Sequence, residues 1–237
     1  MERKSLADDS SLENQPAICP VENCTAMVKH THLLRHMISE HLDARARTLP
    51  FQLRMREVVS GQSTLLMLTY RQLIVDHDQC LAVLNWCYHN PIDLMAPQLD
   101  LPPCHQGLSS HLPVLVMVCK TTWKALLKQN EDKLTNTSSR DLTNEWGTVY
   151  IIWLVSPYTR RPIYARFGIL NSQSQCLELQ NRRRIRNFAS RMPISQFING
   201  LDPFYVTINE EQLDELCDSR GNQASVFLDV TIEGPVE

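Results

Sequence analysis

The amino-acid sequence predicts a mainly β protein: an antiparallel β-sandwich preceded by a small zinc finger with two Cys and two His ligands. The first observation is that, from residue 64 onward, short runs rich in β-branched and aromatic residues recur between turn-forming residues. The second is that four of the eight His and two of the eight Cys lie between residues 19 and 41.

The length and composition exclude several classes of protein. The chain has 237 residues, of which 43% are hydrophobic, so it can bury a core and is not disordered throughout. Seven Gly and thirteen Pro exclude a collagen-like chain. A formal net charge of −3 provides no chain-wide basic field to attract nucleic acid.

The N-terminus and the apolar runs bear on the compartment. Residues 1–15 are polar and charged, unlike the apolar core of a secretory signal. The longest apolar runs, residues 112–119 and 149–155, are far shorter than the roughly 20 residues that span a bilayer. We therefore expect a cytoplasmic and/or nuclear protein without a membrane association. Its Cys residues are then expected to be reduced or metal-bound.

The chain divides into four predicted segments. Residues 1–16 read as a disordered tail and residues 17–42 as the finger. Residues 43–60 read as a basic, mostly helical connector that Pro50 interrupts, and residues 61–237 as the sandwich.

About ten short strands make up the predicted sandwich. They are Leu65–Leu68, Leu73–Val75, Leu81–Trp86, Val114–Cys119, Val149–Val155, Ile163–Leu170, Cys176–Leu179, Arg184–Ala189, Phe204–Ile208 and Ser225–Ile232. One helix is predicted after the ninth strand. Asn209 can cap it, Glu210 and Glu211 suit its first turn, and Gly221 follows its end.

The ligand spacing Cys-x4-Cys-x11-His-x4-His predicts a zinc site formed by Cys19, Cys24, His36 and His41. Two thiolates on a tight turn would supply one side of a tetrahedron, and two imidazoles on one helical face the other. The core of this short unit is too small for it to fold alone. We therefore expect Zn2+ to supply much of its folding free energy. His30 and His32 are alternative ligands, since either could replace one member of the His pair.

The spacing of the finger, with Cys19-Pro20 opening it, resembles the second zinc finger of the seven-in-absentia family of ubiquitin ligases. Further along, Leu177-Glu178-Leu179, a turn, the arginines 182–184 with Ile185, and then Ile194 resemble that family's strand–turn–strand. The stretches 204–208, 209–216 and 226–232 resemble its closing strand–helix–strand.

The resemblance implies a TRAF-like β-sandwich that binds short peptide segments of partner proteins and forms homodimers. The family also carries a RING domain and a further finger before this one, whereas only 18 residues precede Cys19. We therefore expect the substrate-binding half of such a ligase without its RING and without intrinsic ubiquitin transfer. Such a chain would belong to an insect family with a similar layout.

The arginines Arg182, Arg183, Arg184 and Arg186 form the densest basic run in the chain. On a continuous strand, the even-numbered three would share one face. They are candidates for partner binding, because arginine pairs well with carboxylates and phosphates; the alternative is a solvated sheet face. Cys80, Cys87 and His89 could form a second metal half-site, although buried strand thiols explain the two cysteines better, because they flank the apolar run 81–86.

The expected function follows from these features together. We expect a non-enzymatic adaptor in the ubiquitin pathway, because no catalytic constellation is found in the sequence. It would bind an extended peptide at a sheet edge. The alternative is a nucleic-acid-binding finger, with Lys29, Arg35, Arg45 and Arg47 near the finger helix. A lone finger in an acidic chain argues against tight nucleic-acid binding.

Overall fold

The computed structural model describes residues 15–42, 53–89, 94–126, 147–171, 176–190, 204–217 and 225–235. Most of the predicted tail, the first part of the connector, Ile194 and Gly221 lie outside these residues. The strands, numbered along the chain, are β1 (Ala17–Ile18), β2 (Met27–Val28), β3 (Arg54–Val59), β4 (Ser63–Leu68), β5 (Asp78–Cys87), β6 (Leu112–Thr122), β7 (Thr148–Ser156), β8 (Tyr164–Leu170), β9 (Cys176–Arg184), β10 (Arg186–Asn187), β11 (Tyr205–Asn209) and β12 (Val226–Glu233).

The predicted β-sandwich is confirmed. One sheet has the order β10-β7-β6-β5-β3, with β11 paired to β7 as well, and the other has the order β4-β12-β8-β9. All neighbouring strands are antiparallel except two pairs, β3 with β5 and β10 with β7. The strands alternate side chains between two faces, so each sheet presents an apolar face to the other.

The main core lies between the two sheets. Its largest fully buried side chains are Trp86 from β5, Tyr150 from β7 and Tyr70 from the turn after β4. The rings of Tyr70 and Tyr150 meet edge to face with their centroids 5.7 Å apart. At about 1.5–3 kcal/mol for each large apolar side chain, this cluster dominates the stability of the sandwich.

The helix predicted after the ninth strand is confirmed. Helix α1 (Leu33–His36) lies in the finger, and helix α2 (Glu210–Leu216) follows β11. Helix α2 begins after Asn209, and Asn209 and Gln212 form a capping box. The Gln212 side chain accepts the backbone N–H of Asn209 at 3.0 Å. Leu213 anchors the helix in the main core.

Three segments differ from the sequence prediction. The connector was predicted to be mostly helical, but its residues 54–59 form β3, which pairs with β5 over six residues. Residues 73–75 form no strand; only Val75 makes an isolated bridge, to Lys120. The predicted strand 184–189 is divided, because β9 ends at Arg184 in one sheet and β10 begins at Arg186 in the other.

The finger packs on the outer face of the six-stranded sheet. Side chains of the finger (Val21, Val28, Leu33, Leu34 and Met37) share one buried cluster with side chains of β5, β6 and β7 (Val83, Leu115, Met117, Ile151 and Trp153). Leu33, Leu34 and Met37 have no exposed surface at all. The finger and the sheet therefore share a second core, so residues 17–42 are not an isolated module.

Candidate metal centre

The two cysteines lie on the hairpin formed by β1 and β2. Strand pairing aligns Ala17 with Val28, and the Cys19 N–H donates to the Ala26 carbonyl at 2.9 Å. Asn23 adopts a left-handed conformation (φ 63°), which asparagine tolerates better than most residues. This turn carries Cys24 back towards Cys19, as the spacing predicted.

The two histidines lie on a helix that changes type between them. Residues Leu33–His36 are α-helical, and Met37–Leu42 are π-helical. In an α-helix of 3.6 residues per turn, a spacing of five leaves two side chains about 140° apart. The wider π turn, with its i to i+5 hydrogen bonds, brings His41 above His36.

The four ligand atoms converge on one point. They are Cys19 Sγ, Cys24 Sγ and one ring nitrogen from each of His36 and His41, and all lie within 4.8 Å of one another. Cys19 Sγ is 3.5 Å from His41 Nε2, Cys24 Sγ is 3.5 Å from His36 Nε2, and the two Nε2 atoms are 3.2 Å apart. One metal ion could therefore contact all four residues.

The surroundings keep both imidazoles neutral, which is the form that binds a metal. Burial lowers the pKa of His36, and nearby Glu40 only partly offsets this. Burial, together with the neighbouring His36, lowers the pKa of His41 to about 4. At neutral pH, no proton has to leave either ring before a metal binds.

His30, one of the two alternative ligands, has a different role. Its ring is buried, and its Nδ1 accepts the backbone N–H of Tyr158, in the loop after β7, at 2.9 Å. Its ring also contacts that of Phe188, with the centroids 4.6 Å apart. Burial lowers the pKa of His30, which favours the neutral ring that this acceptor role requires. His30 therefore joins the finger to the sandwich.

The other alternative ligand, His32, faces the loop before β6. Its Nε2 lies 3.2 Å from an Asp100 carboxylate oxygen that Arg35 also contacts, at 3.2 Å. From the same loop, buried Gln98 accepts the Leu34 N–H at 3.0 Å and donates to the His30 carbonyl at 3.0 Å. Neither His30 nor His32 belongs to the four-residue cluster, and both hold the finger helix against the rest of the chain.

A family model described as a domain of unknown function, DUF4729, matches residues 18–219. The chain belongs to the DUF4729 family. No curated protein matches it. The matched stretch begins just before Cys19 and continues beyond α2, so a single DUF4729 domain includes both the finger and most of the sandwich. This extent agrees with the core that the two parts share.

The DUF4729 domain does not hold Arg182, Arg184 and Arg186 on one face of a single strand. Arg182 is engaged on the four-stranded sheet: its Nε lies 2.7 Å from Glu233, and its guanidinium lies 4.1 Å from the centre of the Tyr164 ring. Arg183 is partly buried, and burial lowers its pKa. The predicted shared face is wrong, because the chain changes sheets at Ile185.

The remaining two arginines, Arg184 and Arg186, lie on either side of Ile185, where the chain passes from one sheet to the other. Arg184 is exposed at the end of β9, whereas Arg186 on β10 is only 6% exposed and has a pKa lowered by burial. Both line a cavity of about 400 Å³. The sequence offered no sign of this cavity, because its walls come from distant segments.

The second metal half-site does not form in the part of the chain that the structure describes. Cys80 is fully buried under the finger, where burial raises the pKa of its thiol, whereas Cys87 is exposed at the end of β5. Neither belongs to a metal-ligand cluster with His89. None of the described helices combines the length and apolar character needed to cross a membrane.

Proposed function

We propose that this DUF4729 chain is a zinc-stabilised adaptor that binds an extended peptide of a partner protein. Its layout, a finger of two Cys and two His followed by a sandwich, supports the resemblance to the substrate-binding half of seven-in-absentia ligases. The strand–helix–strand order of β11, α2 and β12 also agrees with the closing part of a TRAF-like domain.

Zinc is the metal that suits this donor set. Zn–S bonds of about 2.3 Å and Zn–N bonds of about 2.0–2.1 Å give a tetrahedron whose S···N edges are about 3.6 Å and whose N···N edge is about 3.3 Å. The corresponding distances are 3.5 Å, 3.5 Å and 3.2 Å. Two thiolates and two imidazoles fill all four positions, as in structural zinc sites. Zinc in this position would stabilise the finger and, through it, the sheet below.

The observation that carries the proposed function is an apolar row on an unpaired sheet edge. Strand β4 ends the four-stranded sheet, and among the described strands it pairs only with β12. Leu65 and Met67 point outward from β4 and are 43% and 50% exposed. Phe227 on β12, which pairs directly with Met67, is 37% exposed. An exposed edge with apolar side chains favours the addition of a further strand, because its unpaired backbone groups can form hydrogen bonds with another chain.

A peptide can pair with the edge of β4 without displacing any of the described strands. The Leu65 carbonyl accepts a hydrogen bond from Arg56 Nη1 at 3.1 Å, so an exposed side chain contacts this group and can be displaced. An incoming peptide would gain backbone hydrogen bonds from β4 and place alternate side chains against the apolar row. This is the binding mode that the family resemblance implies.

The finger offers less support for nucleic-acid binding. The helix that would enter a DNA groove packs its Leu33, Leu34 and Met37 against the sheet, and Arg35 is engaged with Asp100. Few basic groups on the finger remain to contact phosphates, which supply most of the affinity for nucleic acid.

The test is a screen of displayed peptides against the full-length, zinc-loaded chain, followed by titration of a recovered peptide. Met67→Asp should weaken binding at least tenfold, because it places a charge in the apolar row. Ile74→Asp is the matched control: Ile74 is 42% exposed but lies away from β4, so this variant should bind as the wild type does. If no peptide binds saturably, or if both variants bind equally well, the proposal is wrong. A second copy of the chain is the competing occupant, and it would appear as a dimer that Met67→Asp dissociates.

A further inference from the structure

A cavity of about 400 Å³ opens where β10 joins the six-stranded sheet. Its size falls within the range of sites that take small ligands or single side chains. One wall is the end of β7 and the loop after it, including Thr159; an adjoining wall runs from Arg184 to Asn187, and Ser190 and Phe204 complete the lining.

The two walls are held together by backbone hydrogen bonds. β10 pairs in parallel with the end of β7, aligning Arg186 with Val155 and Asn187 with Ser156. The Phe188 N–H then donates to the Ser156 carbonyl at 2.9 Å. The cavity is therefore part of the sheet framework, and its shape exists before any ligand arrives.

The lining carries cationic and hydroxyl groups. Arg184 and Arg186 both line the cavity, and the described lining residues include no Asp or Glu. The Arg186 guanidinium lies 5.4 Å from the centre of the Phe204 ring, which helps to orient it. Thr159 and Ser190 provide hydroxyl groups at the same cavity, whereas the Ser156 hydroxyl already donates to the Pro157 carbonyl at 3.0 Å.

This combination favours a phosphate over other ligands. A guanidinium presents several N–H donors in a fixed plane, and phosphate oxygens accept them in pairs. Hydroxyl donors complete such a site, and a nearby carboxylate, which would repel the anion, is missing from the described lining. We propose that the cavity between Arg184 and Arg186 binds a phosphate monoester.

The proposal is independent of peptide binding at β4, because the two sites share no residues: the cavity is lined by the end of β7, the loop after it and residues from Arg184 onward, and none of these belongs to β4 or β12. The phosphate monoester could come from a phosphorylated side chain of a partner or from a small phosphorylated metabolite. Both share the same dianionic group, and the experiment separates them.

The experiment is calorimetric titration of the full-length, zinc-loaded chain with O-phosphoserine and with inorganic phosphate at constant ionic strength. We expect saturable binding at one site per chain. Arg184→Gln should weaken it about tenfold or more, because one charged donor is lost. Arg184 is exposed, so this variant should remain folded; Arg186→Lys, which keeps the buried charge, should also weaken binding.

The matched control is Arg182→Gln, which removes an arginine from the same basic run. Arg182 contacts Glu233 and Tyr164 and does not line the cavity, so this variant should bind phosphate within about twofold of the wild type. Absence of saturable binding would overturn the proposal. Equal losses in Arg182→Gln and Arg184→Gln would overturn it too, since they would indicate only a general attraction to positive charge.

A pair of peptides identifies the source of the ligand. A phosphoserine peptide that binds at least as tightly as O-phosphoserine, while its unphosphorylated counterpart does not bind, supports a phosphorylated partner. Binding of O-phosphoserine without binding of the phosphopeptide supports a small phosphorylated metabolite in the same cavity.

Discussion

Replacing His30 by alanine tests whether this residue joins the finger to the sandwich or binds the metal. In the wild type, its Nδ1 accepts the Tyr158 N–H at 2.9 Å, and its ring contacts Phe188. The His30→Ala variant removes both interactions but leaves Cys19, Cys24, His36 and His41 in place. We therefore expect a loss of stability without a loss of metal.

The size of the effect follows from these two contacts. Depriving the Tyr158 N–H of its acceptor costs about 1–3 kcal/mol, and losing the ring pair costs about 0.5–1.5 kcal/mol. Together they predict a loss of about 1.5–4.5 kcal/mol. For a chain of this length, each kcal/mol lowers the melting temperature by about 2–4 °C, so the expected shift is about 3–18 °C.

The assay pairs urea unfolding, followed by circular dichroism, with measurement of zinc per chain. His32→Ala is the matched control: its hydrogen bond with Asp100 is partly exposed, and removing it should cost about 0–1 kcal/mol. If His30→Ala binds less than one zinc per chain, His30 is a ligand and the assignment is wrong. Unchanged stability would likewise contradict its role in joining the two parts.

Three further predictions concern the metal, the finger helix and pH. Cys24→Ser should lower bound zinc well below one per chain in elemental analysis, whereas Cys104→Ser, at an exposed cysteine outside the cluster, should not. Leu34→Ala should cost about 2–5 kcal/mol in urea unfolding, because it leaves a cavity between finger and sheet. Because burial lowers the pKa of His41 from 6.5 to about 4, the unfolded chain binds more protons than the folded chain between these values. Stability and zinc retention should therefore fall as pH drops from about 6.5 to about 4, as a pH series of unfolding midpoints can show, and a flat series would contradict the burial of this ring.

The metal cluster could be predicted from sequence because its ligands lie close together along the chain. The spacing identified all four residues that the structure brings within 4.8 Å. It did not predict the π-helical stretch Met37–Leu42 that brings His41 above His36. Met37, the first residue of that stretch, packs in the second core, and this long-range contact cannot be read from the local sequence.

The docking of the finger could not be predicted in the same way. Leu33, Leu34 and Met37 would suit the small core of an isolated finger equally well. Their partners, such as Leu115 and Trp153, lie in continuous apolar strands, and the sequence of such strands does not show which neighbour covers them. Gln98 and Tyr158 are polar loop positions whose contacts with the finger arise only from the tertiary fold.

Two errors about strands have similar causes. Residues 54–59 carry three charged and three apolar side chains without a strict alternation, and they form a strand because β5 offers a partner edge. The arginine run reads as one strand because nothing in residues 182–187 marks the point where the chain changes sheets. Long-range pairing decides both cases, and a single sequence contains little information about it.

Hydrogen exchange with and without metal tests most directly the claim that zinc stabilises the finger and the sandwich as one unit. Mass spectrometry would follow β5, β6 and β7, which pack under the finger, and β8 and β12 in the opposite sheet. After zinc is chelated, exchange should accelerate in the finger and in β5, β6 and β7, and less in β8 and β12. Faster exchange confined to the finger, with β5, β6 and β7 unchanged, would contradict the account.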